Sequence, residues 1–111
     1  MIILTIKKRW FDMIKSGEKK EVYRDIRPFY DSRLPKGFGM FRVGNKLVKG
    51  NVYPPQDLSK QQIIFRNGYN HNSPSINAIC SLDIGTGKEE WGAEPGKIYY
   101  VLKIHGIVEG T

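Results

Sequence analysis

The segment that most limits the fold is Ser75–Ile84, in which Ile76, Ala78, Cys80, Leu82 and Ile84 alternate with Asn77, Ile79, Ser81 and Asp83. Successive side chains of an extended chain point to opposite faces, so this spacing predicts a strand with one small and apolar face set against a core. Such a strand needs partners, and the chain offers several. Ile2–Ile6 is a β-branched and apolar run that predicts a strand buried on both faces and central in a sheet. Gln61–Arg66 is a strand by composition, closed by the turn chemistry of Asn67-Gly68, and Ile98–Val108 is a last strand of mostly apolar residues. Phe38, Met40 and Phe41 precede a Gly44-Asn45 pair, with Leu47 and Val48 beyond it, which predicts a strand and hairpin within Gly37–Gly50.

The helices are short. Trp10, Met13 and Ile14 share one helical face, and Gly17 supplies the left-handed residue that ends the helix. Pro28 can open a second helix that Pro35 limits, with Phe29, Tyr30 and Leu34 turned to the core. Pro54-Pro55 breaks any ladder, so Asn51–Lys60 is expected to be a loop ending in a helical turn. Tyr69–Pro74 is a polar loop, and Gly85–Gly96 is an acidic, glycine-rich one carrying Trp91. Together these segments predict an α+β fold of about five or six strands with short flanking helices, which suits a small β-barrel or half-barrel better than a doubly wound sheet.

A chain of 111 residues is expected to form a single domain over 1–111. Its one cysteine, Cys80, excludes an internal disulfide framework, and no apolar run is long enough for a membrane span or a signal peptide, so a soluble cytoplasmic protein is expected. The net charge of +7, from 18 Lys and Arg against 11 Asp and Glu, favours a polyanionic partner, with nucleic acid leading. Charge speaks to association and not to fold, and a solvated basic surface is the plain alternative. Lys7, Lys8 and Arg9 divide in the same way between phosphate contact and a solvated turn.

Few constellations carry chemistry. His71 and His105 are far apart with no further histidine or cysteine at ligand spacing, so neither a metal nor any other cofactor is expected. Cys80, on an apolar strand face, reads as a buried inert thiol. Gly85-Thr86-Gly87-Lys88 lacks the spacing of a phosphate loop. The remaining stretch is Gly17-Glu18-Lys19-Lys20-Glu21-Val22-Tyr23-Arg24, where a helix exit meets a strand and charges of both signs crowd together. Alternation there sets Val22, Arg24 and Ile26 on one face and Glu21, Tyr23 and Asp25 on the other. Lys19 is either a solvated lysine in a charge run or a tuned amine near carboxylates and rings. Arg24, among apolar neighbours, is paired with a carboxylate or turned toward a ligand. Trp91 can stack on a base or cap a barrel end, and Arg66-Asn67-Gly68-Tyr69 can read a base edge or serve as a turn.

The chain resembles the ASCH domains of the PUA-like superfamily, in particular small stand-alone versions found in bacteria and their phages. The family pattern is glycine, any residue, lysine, two residues, glutamate, any residue, arginine; Gly17, Lys19 and Arg24 fall on it, and Val22 stands where the family has glutamate. Arg66-Asn67-Gly68-Tyr69 and Glu90-Trp91-Gly92-Ala93 look like further segments of the stand-alone group. The resemblance implies a PUA-like barrel with helices flanking a cleft lined by the motif, and binding of RNA or a nucleotide derivative; Lys19, Glu21, Tyr23, Arg24, Arg66, Asn67, Tyr69 and Trp91 are the residues expected to contact it. Some ASCH proteins are amidohydrolases that deacetylate an acetylated cytidine, using the motif lysine, a threonine at the position of Val22 and a distant glutamate; others are reported as ribonucleases. Valine neither donates nor accepts a proton, Glu21 points to the opposite strand face, and Asp83, Glu89, Glu90 and Glu94 all compete for the distant acid. Binding therefore leads, ahead of a hydrolase with Lys19 as general base and of a phage-type protein-interaction module. A carboxylate within hydrogen-bond reach of Lys19 would favour catalysis.

Overall fold

The computed structural model describes residues 2–108. Its elements run β1 (Ile2–Thr5), α1 (Lys8–Lys15), β2 (Glu21–Asp25), α2 (Pro28–Asp31), α3 (Leu34–Gly37), β3 (Met40–Val43), β4 (Lys46–Lys49), β5 (Gln61–Arg66), β6 (Ser75–Thr86) and β7 (Ile98–Val108), with a single 3-10 turn at Glu89–Trp91. Five strands form one curled sheet in the order β1-β5-β6-β7-β2, and β3 with β4 forms a separate hairpin. The architecture is α+β, a half-barrel whose long middle strands carry the core. No helix among the described residues is long and apolar enough to cross a membrane.

The alternation in β6 sets the core. Ile76, Ala78, Cys80 and Leu82 are buried on one face, where Tyr100 and Leu102 of β7, Ile63 and Phe65 of β5, and Phe11 and Ile14 of α1 meet them. Each fully buried Leu, Ile or Phe contributes about 1.5–3 kcal/mol, so this face supplies most of the drive to fold. The β6–β7 ladder slips one residue where Ile79 opposes Gly106 and Cys80 opposes Ile104, so His105 is extra in β7, and its Nε2 lies 2.7 Å from Ser81 Oγ.

Three expectations are corrected. β1 is not central but an edge strand, paired among the described residues with β5 alone, in parallel, and Ile3 is 47 % exposed. The cause is topological: α1 follows at once and carries the chain across the opening to β2, leaving β1 a neighbour on one side alone. Phe29 faces solvent with the Arg33 guanidinium 3.7 Å over its ring, while Tyr30 packs on the core and Leu34 is buried. A one-turn helix can turn only part of its surface inward, and Tyr30 takes that place. Asn51–Lys60 contains no helical turn. With no helix closing that stretch, its polar groups are left to local bonds such as the Ser59 N–H to Asp57.

The hairpin is anchored from one side. Met40 and Leu47 pack against the core, and Arg42 grips Asp31 with Nε and Nη2 at 2.9 and 2.8 Å. Arg42 also donates to the Gly44 carbonyl, and the Tyr100 hydroxyl donates to the same Asp31 carboxylate. Gly44 has a φ of 61°, which a two-residue turn requires and glycine adopts freely.

Candidate functional site

The half-barrel leaves β1 and β2 as unpaired edges facing an opening that α1 spans. What crosses this seam is a side chain. Arg24 on β2 donates through Nη2 to the Thr5 carbonyl of β1 at 2.8 Å, and through Nη1 to the Tyr23 carbonyl at 2.9 Å. No carboxylate pairs with it among the described residues.

Lys19 enters the seam because of the turn before it. Gly17 adopts φ 86°, and the Lys19 N–H returns to the Met13 carbonyl at 3.0 Å, which folds the chain back on the end of α1. The side chain is 4 % exposed, the one buried charged residue among those described. Its ammonium donates to the Trp91 carbonyl and lies 4.7 Å from the Trp10 ring and 5.1 Å from the Tyr23 ring. Burial lowers its pKa from 10.5 to about 8; the Arg24 charge pushes the same way and Glu21 partly opposes it.

The opposite wall is the 87–96 loop, fixed by Tyr23. The Tyr23 hydroxyl donates to Glu21 Oε1 at 2.8 Å and accepts from the Lys88 N–H at 2.9 Å. Burial chiefly pushes this phenol up to about 12, with the Lys88 bond pulling down and Glu21 adding to the rise. Gly87 passes so close that a Cβ there would lie 2.5 Å from the Tyr23 ring. Gly92, at φ 100°, lies against the Trp10 ring, and the Tyr99 hydroxyl accepts from the Glu94 N–H. Ala93, Tyr99 and Val101 form a small second core beneath.

These groups enclose a pocket of about 110 Å³, walled among others by Trp10, Lys19, Val22, Tyr23, Arg24 and Trp91. Liquid water takes ~30 Å³ per molecule and ligand sites commonly exceed ~300 Å³, so this pocket takes one functional group and not a whole nucleoside. A larger cavity of about 510 Å³ lies between the hairpin arm and the sheet, walled by Phe38, Met40, Val52, Leu58 and Leu82. Its lining also includes Lys49 and Asp57, both exposed, whereas the buried charge stands in the smaller pocket.

Of the residues singled out in the sequence, Lys19, Tyr23, Arg24 and Trp91 share the pocket. Glu21 stands behind it, held by Tyr23. Asn67 lies outside, donating through Nδ2 to the Ile6 carbonyl at 3.0 Å and so propping the residue after β1. Arg66 continues the β1–β5 pairing through its carbonyl, while its Nε is buried without a partner among the described residues. Tyr69 is exposed on its loop. Sequence reasoning passed over Trp10, which the helical pattern assigned to the core. Its place one turn before Met13, the residue that receives the Lys19 N–H, was the available signal. No protein-family model, no curated protein and no solved structure matches this chain.

Proposed function

We propose that the chain binds RNA or a nucleotide-like ligand, seating an anionic or carbonyl-bearing group of it in the seam pocket against Lys19 and Arg24. The observation that carries this reading is a buried lysine beside a guanidinium with no ion-paired carboxylate among the described residues. Two like charges in a poorly solvated pocket raise each other's cost, and an incoming anion relieves both. The Trp10, Tyr23 and Trp91 rings supply apolar and π surface beside the cations. The resemblance of Gly17, Lys19 and Arg24 to the ASCH pattern supports the same ligand class, a PUA-like barrel is compatible with the curled sheet, and a cytoplasmic setting suits such a ligand.

A second reading, hydrolysis of a modified nucleoside, draws on the Lys19 pKa of about 8, which suits a general base. It ranks lower because the Val22 side chain carries no proton to exchange and Glu21 is engaged by Tyr23.

Calorimetric titration of nucleoside monophosphates into the protein tests the binding reading. Wild type is expected to bind and Lys19→Met, which keeps the apolar stem, to lose at least tenfold in affinity, the equivalent of ~1.4 kcal/mol. Affinity unchanged by Lys19→Met, or no binding of any nucleotide, overturns it.

A further inference from the structure

The charges around the seam pocket do not balance. The Lys19 ammonium donates to the Trp91 carbonyl, and the Arg24 guanidinium donates to the Tyr23 and Thr5 carbonyls, so every bond they make goes to an uncharged acceptor. The carboxylates whose fields reach them, Glu21 for Lys19 and Asp25 for Arg24, are engaged elsewhere. Glu21 accepts from the Tyr23 hydroxyl, and Asp25 pairs with Lys97 at 3.0 Å. Tyr30, also close to Arg24, offers only a hydroxyl. Two cations therefore line one pocket with no ion-paired carboxylate among the described residues. Each retains N–H donors that no protein group takes up.

The walls restrict what can use those donors. Apart from the cations they are Ile6, Trp10, Val22, Tyr23, Trp91 and Tyr99, and the two tyrosine hydroxyls are already tied to the 87–96 loop. Lys19 is 4 % exposed, so a group that meets its ammonium has to enter the pocket and cannot lie across the mouth. The volume of about 110 Å³ houses a group of a few heavy atoms. An internal phosphodiester carries a sugar on each of its bridging oxygens, and neither sugar fits inside with it. A terminal phosphomonoester enters on one arm, presents three free oxygens and is mostly a dianion above pH ~6.

Resting on the pocket reading above, we propose that the group seated against Lys19 and Arg24 is a terminal phosphomonoester, that of a mononucleotide or of an RNA chain end, and that internal phosphodiesters do not reach it. Its charge selects it. A dianion balances both cations, whereas a carboxylate or a diester leaves one uncompensated and a base carbonyl leaves both. Its oxygens suit the spare donors of an ammonium and a guanidinium together. An RNA would then be held by its end, with the nucleoside outside the pocket and the protein's wider positive charge serving only to attract the strand.

Calorimetry compares uridine monophosphate with cyclic uridine monophosphate, a diester of nearly the same size with a single charge, and with uridine and inorganic phosphate. Anisotropy compares uridine oligomers of about ten nucleotides, labelled at one end and bearing a phosphate or a hydroxyl at the other. The monoester is expected to bind at least about tenfold tighter than the cyclic diester, uridine or inorganic phosphate, and the phosphate-ended oligomer to exceed the hydroxyl-ended one by the same factor. Lys19→Met should abolish the preference for the monoester. Arg24→Gln, whose amide can still donate to a carbonyl, should reduce that preference to within about threefold. A cyclic diester or hydroxyl-ended oligomer within about twofold of its phosphomonoester counterpart overturns the inference; if that binding still falls tenfold in Lys19→Met, the pocket reading stands without it. A phosphate preference that Lys19→Met leaves unchanged, or no binding at all, overturns both. Inorganic phosphate that binds as tightly as uridine monophosphate overturns the nucleotide reading and the chain-end assignment with it.

Discussion

Replacing Lys19 by Met should stabilise the protein near neutral pH and lose that advantage as pH rises, by an amount the shifted pKa defines. The folded pKa is about 8 against an ordinary 10.5, so folding disfavours the ammonium. Below pH 8 both states hold the proton and the penalty is at its full extent. Between the two values the unfolded chain binds more protons, so wild-type stability gains as pH rises. At 1.36 kcal/mol per pKa unit the penalty is about 3.4 kcal/mol at pH 7, about 2 at pH 9 and about 0.8 at pH 10. Met also leaves the Trp91 carbonyl without its donor, a cost of about 1–3 kcal/mol that does not vary with pH. Other groups add pH dependence in the same range, Cys80 and Tyr23 among them, because they ionise there in the unfolded chain while burial pushes their folded pKa values up to about 12. They cancel in the difference between variant and wild type. Urea unfolding followed by tryptophan fluorescence at matched pH therefore reads the Lys19 contribution directly. The advantage of Lys19→Met should shrink by about 2.5 kcal/mol from pH 7 to pH 10. A difference that stays flat within about 0.5 kcal/mol would refute the burial of a charged amine in the seam.

Gly87→Ala places a Cβ 2.5 Å from the Tyr23 ring and should cost about 1–3 kcal/mol, read as a lower urea midpoint with loss of nucleotide affinity as the loop lifts away. An unchanged midpoint would mean that the loop is not fixed by Tyr23. Acetylated cytidine should turn over far below about 1 per second in wild type, and Val22→Thr should bring measurable release of acetate. Enzyme-like turnover in wild type that Lys19→Ala abolishes would reverse the ranking of binding over catalysis.

Local patterns were legible and their neighbours were not. The β6 alternation predicts a one-sided strand because side-chain direction depends only on the local backbone, and Ile76 to Leu82 lie where it puts them. Gly44-Asn45 predicts the hairpin for the same reason. Ile2–Thr5 looks central because its composition is apolar, yet the number of strands beside it depends on how far α1 carries the chain. In the pocket, the placement of Lys19 and Arg24 just after the Gly17 turn could be read in sequence. The acceptor of the Lys19 ammonium is the backbone carbonyl of Trp91, and a carbonyl carries no residue signature. Asn67 shows the reverse: a polar group suited to a base edge is used on the Ile6 carbonyl.

The strand order has a consequence for synthesis on the ribosome. β2, which carries Tyr23 and Arg24, pairs among the described residues with β7 alone, and β1 waits for β5. The first strands made are thus the outermost ones, and the middle of the sheet is made last. Residues emerge at about 5–20 per second, so the nascent chain spends seconds with its motif translated and no template to lie on. Lys19 is hydrated throughout that interval and surrenders its water only when β7 arrives. The seam pocket is therefore the final piece to form, and a nascent chain that ends before β7 does not yet have it.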